Sequence, residues 1–369
     1  MFEFGKGIFG QQDALKSLYN IYTSKRIPHA FLFSGNEGIG KYFAANHFVQ
    51  LLNSSSENSQ IFPKIQKLQE PFIKLIFPLP RGKNETGDEG PLDKFDDEML
   101  AEVHSEISKK AENPYHQIQV TKATSIKISS IREIKKYLSL NYSDLIYRVI
   151  IILDAHLMNE EAQNSLLKSL EEPPEGTVFI IITHKKDYLL PTIISRCSEL
   201  RFAPLSKENV STILVEYFNF NKKDADILSN FADGSVAKAL KLAKYEIKSL
   251  EDNIINIISH SAFNKIDSAK DFLESFKTIY GDDAFDLVLD QVNKFLIDSS
   301  RLRVNNNASI YFENRKERVQ KFNSFMKDAP IESVINNLEK LRSNLRYNIN
   351  LNLFLLNIIL ELNVLNNRL

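Results

Sequence analysis

The sequence predicts an α/β domain built on a parallel sheet, followed by two helical regions. Three observations carry that prediction. The run His29 to Gly35, "HAFLFSG", is apolar and leads through a glycine-rich turn into "KYFAANHFVQLLN", a strand–loop–helix succession. Two further apolar runs, "YRVIIILDA" (Tyr147 to Ala155) and "TVFIIITH" (Thr177 to His184), flank a well-marked helix. Strands that are apolar on both faces and alternate with helices belong to buried parallel sheets, with ligand-binding loops at their carboxyl ends. Beyond "RFAPLS" (Arg201 to Ser206) no stretch reads as a strand.

The helix between the second and third strands is "NEEAQNSLLKSLEEPP". Asn159 can cap it, Glu160 and Glu161 suit its positive end, Pro173 stops it, and Ala162, Leu166 and Leu170 form a buried face at four-residue spacing. Between Leu52 and Ser125 the alternation breaks. "NSSSENSQ" is a polar linker, and "FPLPRGKNETGDEGPLDKFDDEM" is rich in Pro, Gly and acid. A surface insertion over about 53–124 is expected, with one short helix near Met99 to Ala111. "SIREIKKYLSLNY" (Ser130 to Tyr142) returns to helix. Ser206 to Tyr245 reads as a small helical unit whose last helix begins at Gly234, and amphipathic helix runs from about Ser249 to Leu369. The expected domains are therefore 1–205, α/β with the insertion; 206–246, helical; and 247–369, a helical bundle.

Composition narrows the class. A chain of 369 residues exceeds one ordinary core, and 43% hydrophobic with 25% charged residues is that of a globular protein in water. The net charge of −1 gives no global field for nucleic acid. The start, "MFEFGKGIFGQQDA", lacks a signal pattern, and Leu351 to Leu362 is too short to span a bilayer and is broken by Asn352, Asn357 and Glu361. A lone cysteine, Cys197, excludes an internal disulfide and a cysteine-cluster zinc site. A cytoplasmic protein without membrane contact is the expectation.

The chemistry is concentrated in "FSGNEGIGKYF". Gly35, Gly40 and Lys41 fit the phosphate-loop pattern Gly-x-x-x-x-Gly-Lys, with Gly38 inside it. Such loops bind phosphate through backbone N–H groups and a helix N-terminus; the lysine neutralises charge, and a following Ser or Thr holds Mg²⁺. Here Tyr42 takes that last place, and its hydroxyl stands at the far end of a rigid ring. The second strand should then supply an Asp for the metal and a Glu to activate water. Two registers are open: Asp154 followed by Ala155 in the Glu position, or Leu153 in the Asp position with Asp154 in that of the Glu. Either way one acid is missing. ATP hydrolysis is not expected, whereas weak or vestigial ATP or phosphate binding by Gly35, Gly38, Gly40 and Lys41 is allowed. A small-molecule kinase or nucleotidyltransferase with a phosphate loop would need a carboxylate pair near the loop, and none is recognisable. His29 and His156 are not at metal-ligand spacing and read as packing or surface residues, so no metal site is expected. His184 to Lys186, "HKK", reads as a solvated loop or as an approach to phosphates or a neighbouring chain, and Cys197 as a small buried apolar residue.

"GQQDALKSLYNIYTSKRIPHAFLFSGNEGIGK", "NSLLKSLEEPPEGTVFIIIT" and "TIISRC" together resemble the AAA+ subunits of bacterial DNA polymerase III clamp loaders. The resemblance covers Gly10 to about Leu242 and extends weakly to "YNINLNLFLLNIILEL" (Tyr347 to Leu362), which is similar to the family's last collar helix. It implies an AAA+ domain, a small helical lid and a helical collar. Within the family, Tyr42, Leu153 and Ala237, the last standing where motor subunits carry a sensor arginine, depart from the gamma/tau motor and resemble the delta-prime stator. The motor type remains the alternative. The resemblance implies gamma/tau and delta subunits as partners, with the sliding clamp and primed DNA reached through the complex. It also implies that Arg196 of "TIISRC" acts in trans on a neighbour's ATP site, as an arginine finger. The family's zinc cysteines would fall at roughly Asn53 to Leu68, where none exists, so no zinc is implied.

Overall fold

The computed structural model describes residues 3–54, 61–82, 89–139, 146–244, 247–280, 284–344 and 350–366. Parts of several expected features lie outside them: the polar linker after Ser54, positions 83–88 of the Pro-, Gly- and acid-rich stretch, the end of the helix after Ser139, position 245 of the small helical unit, and positions 281–283, 345–349 and 367–369 of the last helical region.

The strands are β1 (Ala30–Ser34), β2 (Ile73–Ile76), β3 (Arg148–Ile152), β4 (Thr177–Thr183) and β5 (Ser198–Arg201). The helices of the first half are α1 (Gln12–Thr23), α2 (Lys41–Leu52), α3 (Ile61–Gln66), α4 (Asp97–Glu112), α5 (Ile128–Leu138), α6 (Glu160–Glu171) and α7 (Pro191–Ile194). There follow α8 (Lys207–Phe218), α9 (Lys222–Phe231), α10 (Val236–Ala243), α11 (Ile247–Ala262), α12 (Ile266–Tyr280), α13 (Ala284–Val304), α14 (Lys316–Phe325), α15 (Ile331–Asn344) and α16 (Leu351–Asn363). Among the described residues no helix is long and apolar enough to cross a membrane.

The sheet is wholly parallel, in the order β2-β3-β4-β1-β5. Its central strands are those the sequence marks most plainly: every residue of β1 and β4 is buried, as are Val149 to Ile152 of β3. Because β1 lies between β4 and β5, the carboxyl ends of β1, β3 and β4 open on one edge, the usual ligand position in such sheets. α6 follows its sequence rules. Asn159 accepts the Ala162 N–H at 2.9 Å, and Ala162, Leu166 and Leu170 join the core beside Ile150, Ile152, Phe179 and Ile181.

Two strands differ from expectation. β2, "IKLI", lies inside the supposed surface insertion yet pairs with β3 from Ile73↔Val149 to Ile76↔Ile152. It is four residues long, and Lys74 interrupts its apolar pattern to pair with Glu133 at 3.0 Å. β5, "SELR", is a mostly exposed edge strand whose charges leave no alternation to read. The insertion is thus only partly a surface excursion. α4 runs longer than the short helix expected, and Val103, Glu106 and Lys110 are its buried positions.

The chain divides into two compact units, residues 1–225 with 232–238 and residues 226–231 with 239–369. The segment 206–246, expected as a lid, is shared between them. The second unit is all helix, as the sequence implies. α13 presents Phe285, Val288, Leu289, Val292, Phe295 and Leu296 to its interior, where Phe295 meets Phe312 edge-to-face at 5.4 Å.

Candidate functional site

The turn after β1 delivers Gly35, Gly38, Gly40 and Lys41 to the carboxyl edge of the sheet, with Lys41 opening α2. Gly38 and Gly40 have φ of +68° and +91°, the left-handed region that glycine adopts without strain. The stretch read from sequence as a phosphate loop is a left-handed glycine turn, and its own lysine folds into it. The Lys41 ammonium turns back on its own loop, donating to the Gly35 carbonyl at 2.6 Å and to the Asn36 carbonyl. Burial lowers its pKa to about 8, against the opposing pull of Asp154 and Glu37. Gln11 braces the turn, donating to the carbonyls of Ile39 at 3.1 Å and Ala203 at 2.7 Å.

Two other segments close on the loop. Ser235 Oγ donates to the Glu37 carbonyl at 2.7 Å, and the Val236 N–H donates to the Gly38 carbonyl at 3.2 Å. A Cβ placed on Gly38 would meet the Ala237 nitrogen at 2.4 Å, so Ala237 lies against the phosphate cradle. From the opposite side comes the end of α4 and the loop after it. Lys110 stands over the Tyr42 ring at 4.3 Å and donates to the carbonyls of Pro114 at 2.9 Å and His116 at 2.5 Å. Burial brings its pKa down to about 7, with Asp154 opposing and Lys41 reinforcing the shift. Glu106 pins the same loop through His116 Nε2 at 2.8 Å and the Gln119 N–H at 2.9 Å. Tyr115 then packs at Gly40 and edge-on to Phe43, with ring centroids 5.8 Å apart.

What remains is a cavity of about 80 Å³ lined by Gly38, Gly40, Lys41, Tyr42, Lys110 and Tyr115, with Leu153, Asp154 and His184 on the sheet side. Pockets that hold organic ligands span roughly 300–1,000 Å³. Tyr42 is buried, and its hydroxyl accepts from Asn46 Nδ2 at 3.4 Å. Burial raises its pKa well above the usual phenol value, so the hydroxyl stays neutral. Both Leu153 and Asp154 line the cavity, so in either register the carboxylate that β3 supplies is Asp154; Glu37 of the loop lines the cavity as well.

Two histidines meet at the carboxyl edge of the sheet although their spacing along the chain does not pair them. His156 follows β3 and His184 follows β4, and the pairing of these strands brings the two rings to 4.1 Å, with Asp154 beside them. The absence of metal-ligand spacing along the chain hid this neighbourhood, because parallel strands join residues far apart in sequence.

Arg196 lies elsewhere, just past α7 and ahead of β5. Its guanidinium donates to Glu171 Oε1 at 2.6 Å and to the Thr192 carbonyl at 2.9 Å, with the side chain about a third exposed. Its neighbour Cys197 packs against the core, and burial pushes its thiol up to about 12, far from a reactive thiolate.

Residues 10–206 match the family described as DNA polymerase III, delta subunit. The chain belongs to that family. Among curated clamp-loader relatives it is 27% identical over 254 residues to the DNA polymerase III subunit gamma of Buchnera aphidicola subsp. Schizaphis graminum, covering 68% of this chain and 60% of that one. It is 28% identical over 240 residues to the subunit delta' of Bacillus subtilis, covering 63% and 59%. The tau subunit of Bacillus subtilis matches at 27% over 243 residues, of which this chain spans 36%. The chain therefore spans about 60% or less of the length of these relatives. A solved gamma-subunit-related protein of Thermotoga maritima overlays with a TM-score of 0.41 at 15% identity, over 94% of this chain and 98% of that one.

The clamp-loader motifs mark the loop, α6 and Arg196, but nothing in them points to Lys110, Tyr115, Gln117 or Ile118. These enter the cavity from the segment with the least regular sequence, and the only trace of their role is the helix around Met99 to Ala111.

Proposed function

We propose that this chain is the delta-prime, or stator, subunit of a DNA polymerase III clamp loader, one that does not hydrolyse ATP. The observation that carries this reading is the closed phosphate loop: Lys41 is bonded to its own loop carbonyls, and Tyr115, Lys110 and Ala237 occupy its surroundings. A motor subunit needs that space for a triphosphate and its metal. In this reading the chain serves as a fixed member of the complex with gamma/tau and delta subunits. Through them it supports loading of the sliding clamp onto primed DNA.

Arg196 suits the trans-acting role because its guanidinium lies at the surface, about a third exposed, where only local bonds to Glu171 and the Thr192 carbonyl would have to be exchanged for a neighbour's phosphate. A planar cation offered from another chain makes hydrolysis in the neighbour depend on assembly. For partner contact the second unit offers a face of α16 that its own core does not use. Leu353, Leu356, Leu360 and Val364 share one side of that helix and are 58%, 40%, 49% and 46% exposed, while Phe354, Leu355, Ile358 and Leu362 are buried on the other. An apolar stripe of this kind favours burial against another helix.

The test is co-purification with separately expressed gamma/tau and delta subunits. The wild-type chain is expected to enter a stable complex, and Leu353→Lys with Leu360→Lys is expected to stay folded and fall out of it. A complex that forms equally well with both lysines in place would remove this face from the assembly.

A further inference from the structure

We propose that Asp154, His156 and His184 form a binding site for one divalent transition-metal ion of the zinc class. One ligand atom from each of the three lies within 4.8 Å of the others. A tetrahedral centre with metal–ligand bonds of about 2.0–2.1 Å holds its ligand atoms about 3.3 Å apart. Closing the observed span therefore takes side-chain shifts of about an ångström, without moving the backbone.

The scaffold is rigid where it needs to be. His156 and His184 stand just beyond the ends of β3 and β4, which pair in register from Arg148↔Thr177 to Ile152↔Ile181. Their rings meet at 67°, with centroids 4.1 Å apart, so neither stacks flat on the other and ring edges carrying nitrogen can converge. Thr183 Oγ1 lies 3.3 Å from His156 Nδ1, an outer contact that orients the ring and leaves Nε2 for a ligand. Asp154 holds φ at +48°, a conformation that costs a non-glycine residue energy, and it places Oδ1 3.7 Å from His184 Nδ1. At that distance the two groups do not hydrogen-bond directly.

Two imidazoles and one carboxylate suit Zn²⁺ and Co²⁺, and leave coordination positions open. Asp154 and His184 line the cavity, which gives an ion its entry path and its open face. The ammonium groups of Lys41 and Lys110 act on the same carboxylate, so the site is weaker than a closed structural zinc centre. It is also chemically distinct from the cysteine cluster that the composition excludes. The proposal does not depend on the stator reading, since it concerns metal without nucleotide.

The experiment uses the full chain, stripped with a chelator and titrated with Co²⁺ in the absence of nucleotide. It is followed by visible absorption and, for Zn²⁺, by equilibrium dialysis. The expected result is one Co²⁺ per chain with d–d bands of a nitrogen- and oxygen-ligated ion, displaced by Zn²⁺. His184→Ala, His156→Ala and Asp154→Asn are each expected to weaken binding by at least about tenfold, the scale on which even outer partners of a metal site act. Exposed His29→Ala and His104→Ala serve as controls and should bind as wild type. His184 is the partly exposed histidine, so His184→Gln tests the site with the least risk to the fold. No saturable binding by the wild type, or equal binding by His184→Gln, overturns the proposal.

Discussion

Replacing Arg196 with alanine separates what this side chain does for its own fold from the trans-acting role proposed for it. Locally it makes one ion pair with Glu171 at 2.6 Å, between side chains 35% and 47% exposed, and one bond to the Thr192 carbonyl. Pairs of that exposure contribute about 0–1 kcal/mol, so the folded chain should lose almost nothing. A trans-acting arginine is worth far more: in GTPases roughly 10³–10⁵ in rate, or about 4–7 kcal/mol. The two roles therefore differ by several kcal/mol and cannot be confused. The complex is reconstituted with the variant, assembly is checked by gel filtration, and clamp- and DNA-stimulated ATPase is measured. Assembly should survive. Total hydrolysis should fall by less than the full factor, because other motor sites keep their own arginines. Arg196→Lys should recover only part, since an ammonium cannot bridge two oxygens as a planar fork does. Glu171→Gln should leave the rate intact or raise it by less than about tenfold, because it releases Arg196 from a competing carboxylate. Cys197→Ser should be nearly silent in rate, as a partly buried thiol with its pKa pushed up to about 12 has no thiolate chemistry to lose. Wild-type hydrolysis by an assembled Arg196→Ala complex would refute the trans-acting role.

Two further predictions concern the closed loop and the first unit. Gly38→Ala should destabilise the chain by about 2–5 kcal/mol, the sum of a left-handed backbone cost and an overpacking cost, because the new methyl meets Ala237 at 2.4–2.7 Å. A thermal or denaturant midpoint equal to wild type would mean that the start of α10 does not press on the loop. His47 accepts the Gly5 N–H on Nδ1 at 3.1 Å, and burial lowers its pKa from 6.5 to about 4. The unfolded chain then binds the proton first, so the His47 contribution is complete above pH 6.5 and is lost as pH falls toward 4. The ring is partly open to solvent, which reduces a full effect of about 3 kcal/mol to about 1–2 kcal/mol. His47→Asn, which keeps an acceptor near Nδ1, should flatten the acid limb of the stability profile between pH 4 and 6.5. An unchanged slope would show that other groups carry it.

The sequence discloses the parts of this protein that obey strong local rules. Buried parallel strands such as "RVIII" and "TVFIIIT" need apolar residues on both faces, and α6 needs a cap, a buried stripe and a stop; both leave patterns that can be read without a structure. The edge strands escape for different reasons: "IKLI" is only four residues long and carries Lys74 in its apolar run, while "SELR" has no buried residue to mark a pattern. The same division holds at the site. Gly38, Gly40 and Lys41 are legible because the phosphate-loop pattern they fit sets residue types at fixed spacing. The residues that close it are not: Lys110 sits on a helix whose place against the loop no local rule sets, and Tyr115 arrives from the irregular loop after it. His156 and His184 meet only through the β3–β4 pairing, a relation that spacing along the chain does not encode.

The most direct test of the account is ATP binding and turnover by the isolated chain, measured beside Lys41→Ala with Mg²⁺ present. The cavity at the loop holds about 80 Å³, and Lys41 is already bonded within its own turn. The account predicts no hydrolysis above the Lys41→Ala background, with at most weak binding of phosphate or nucleotide at the surviving glycine cradle. Mg²⁺-dependent turnover at ordinary ATPase rates, abolished by Lys41→Ala, would contradict it and make this chain a motor.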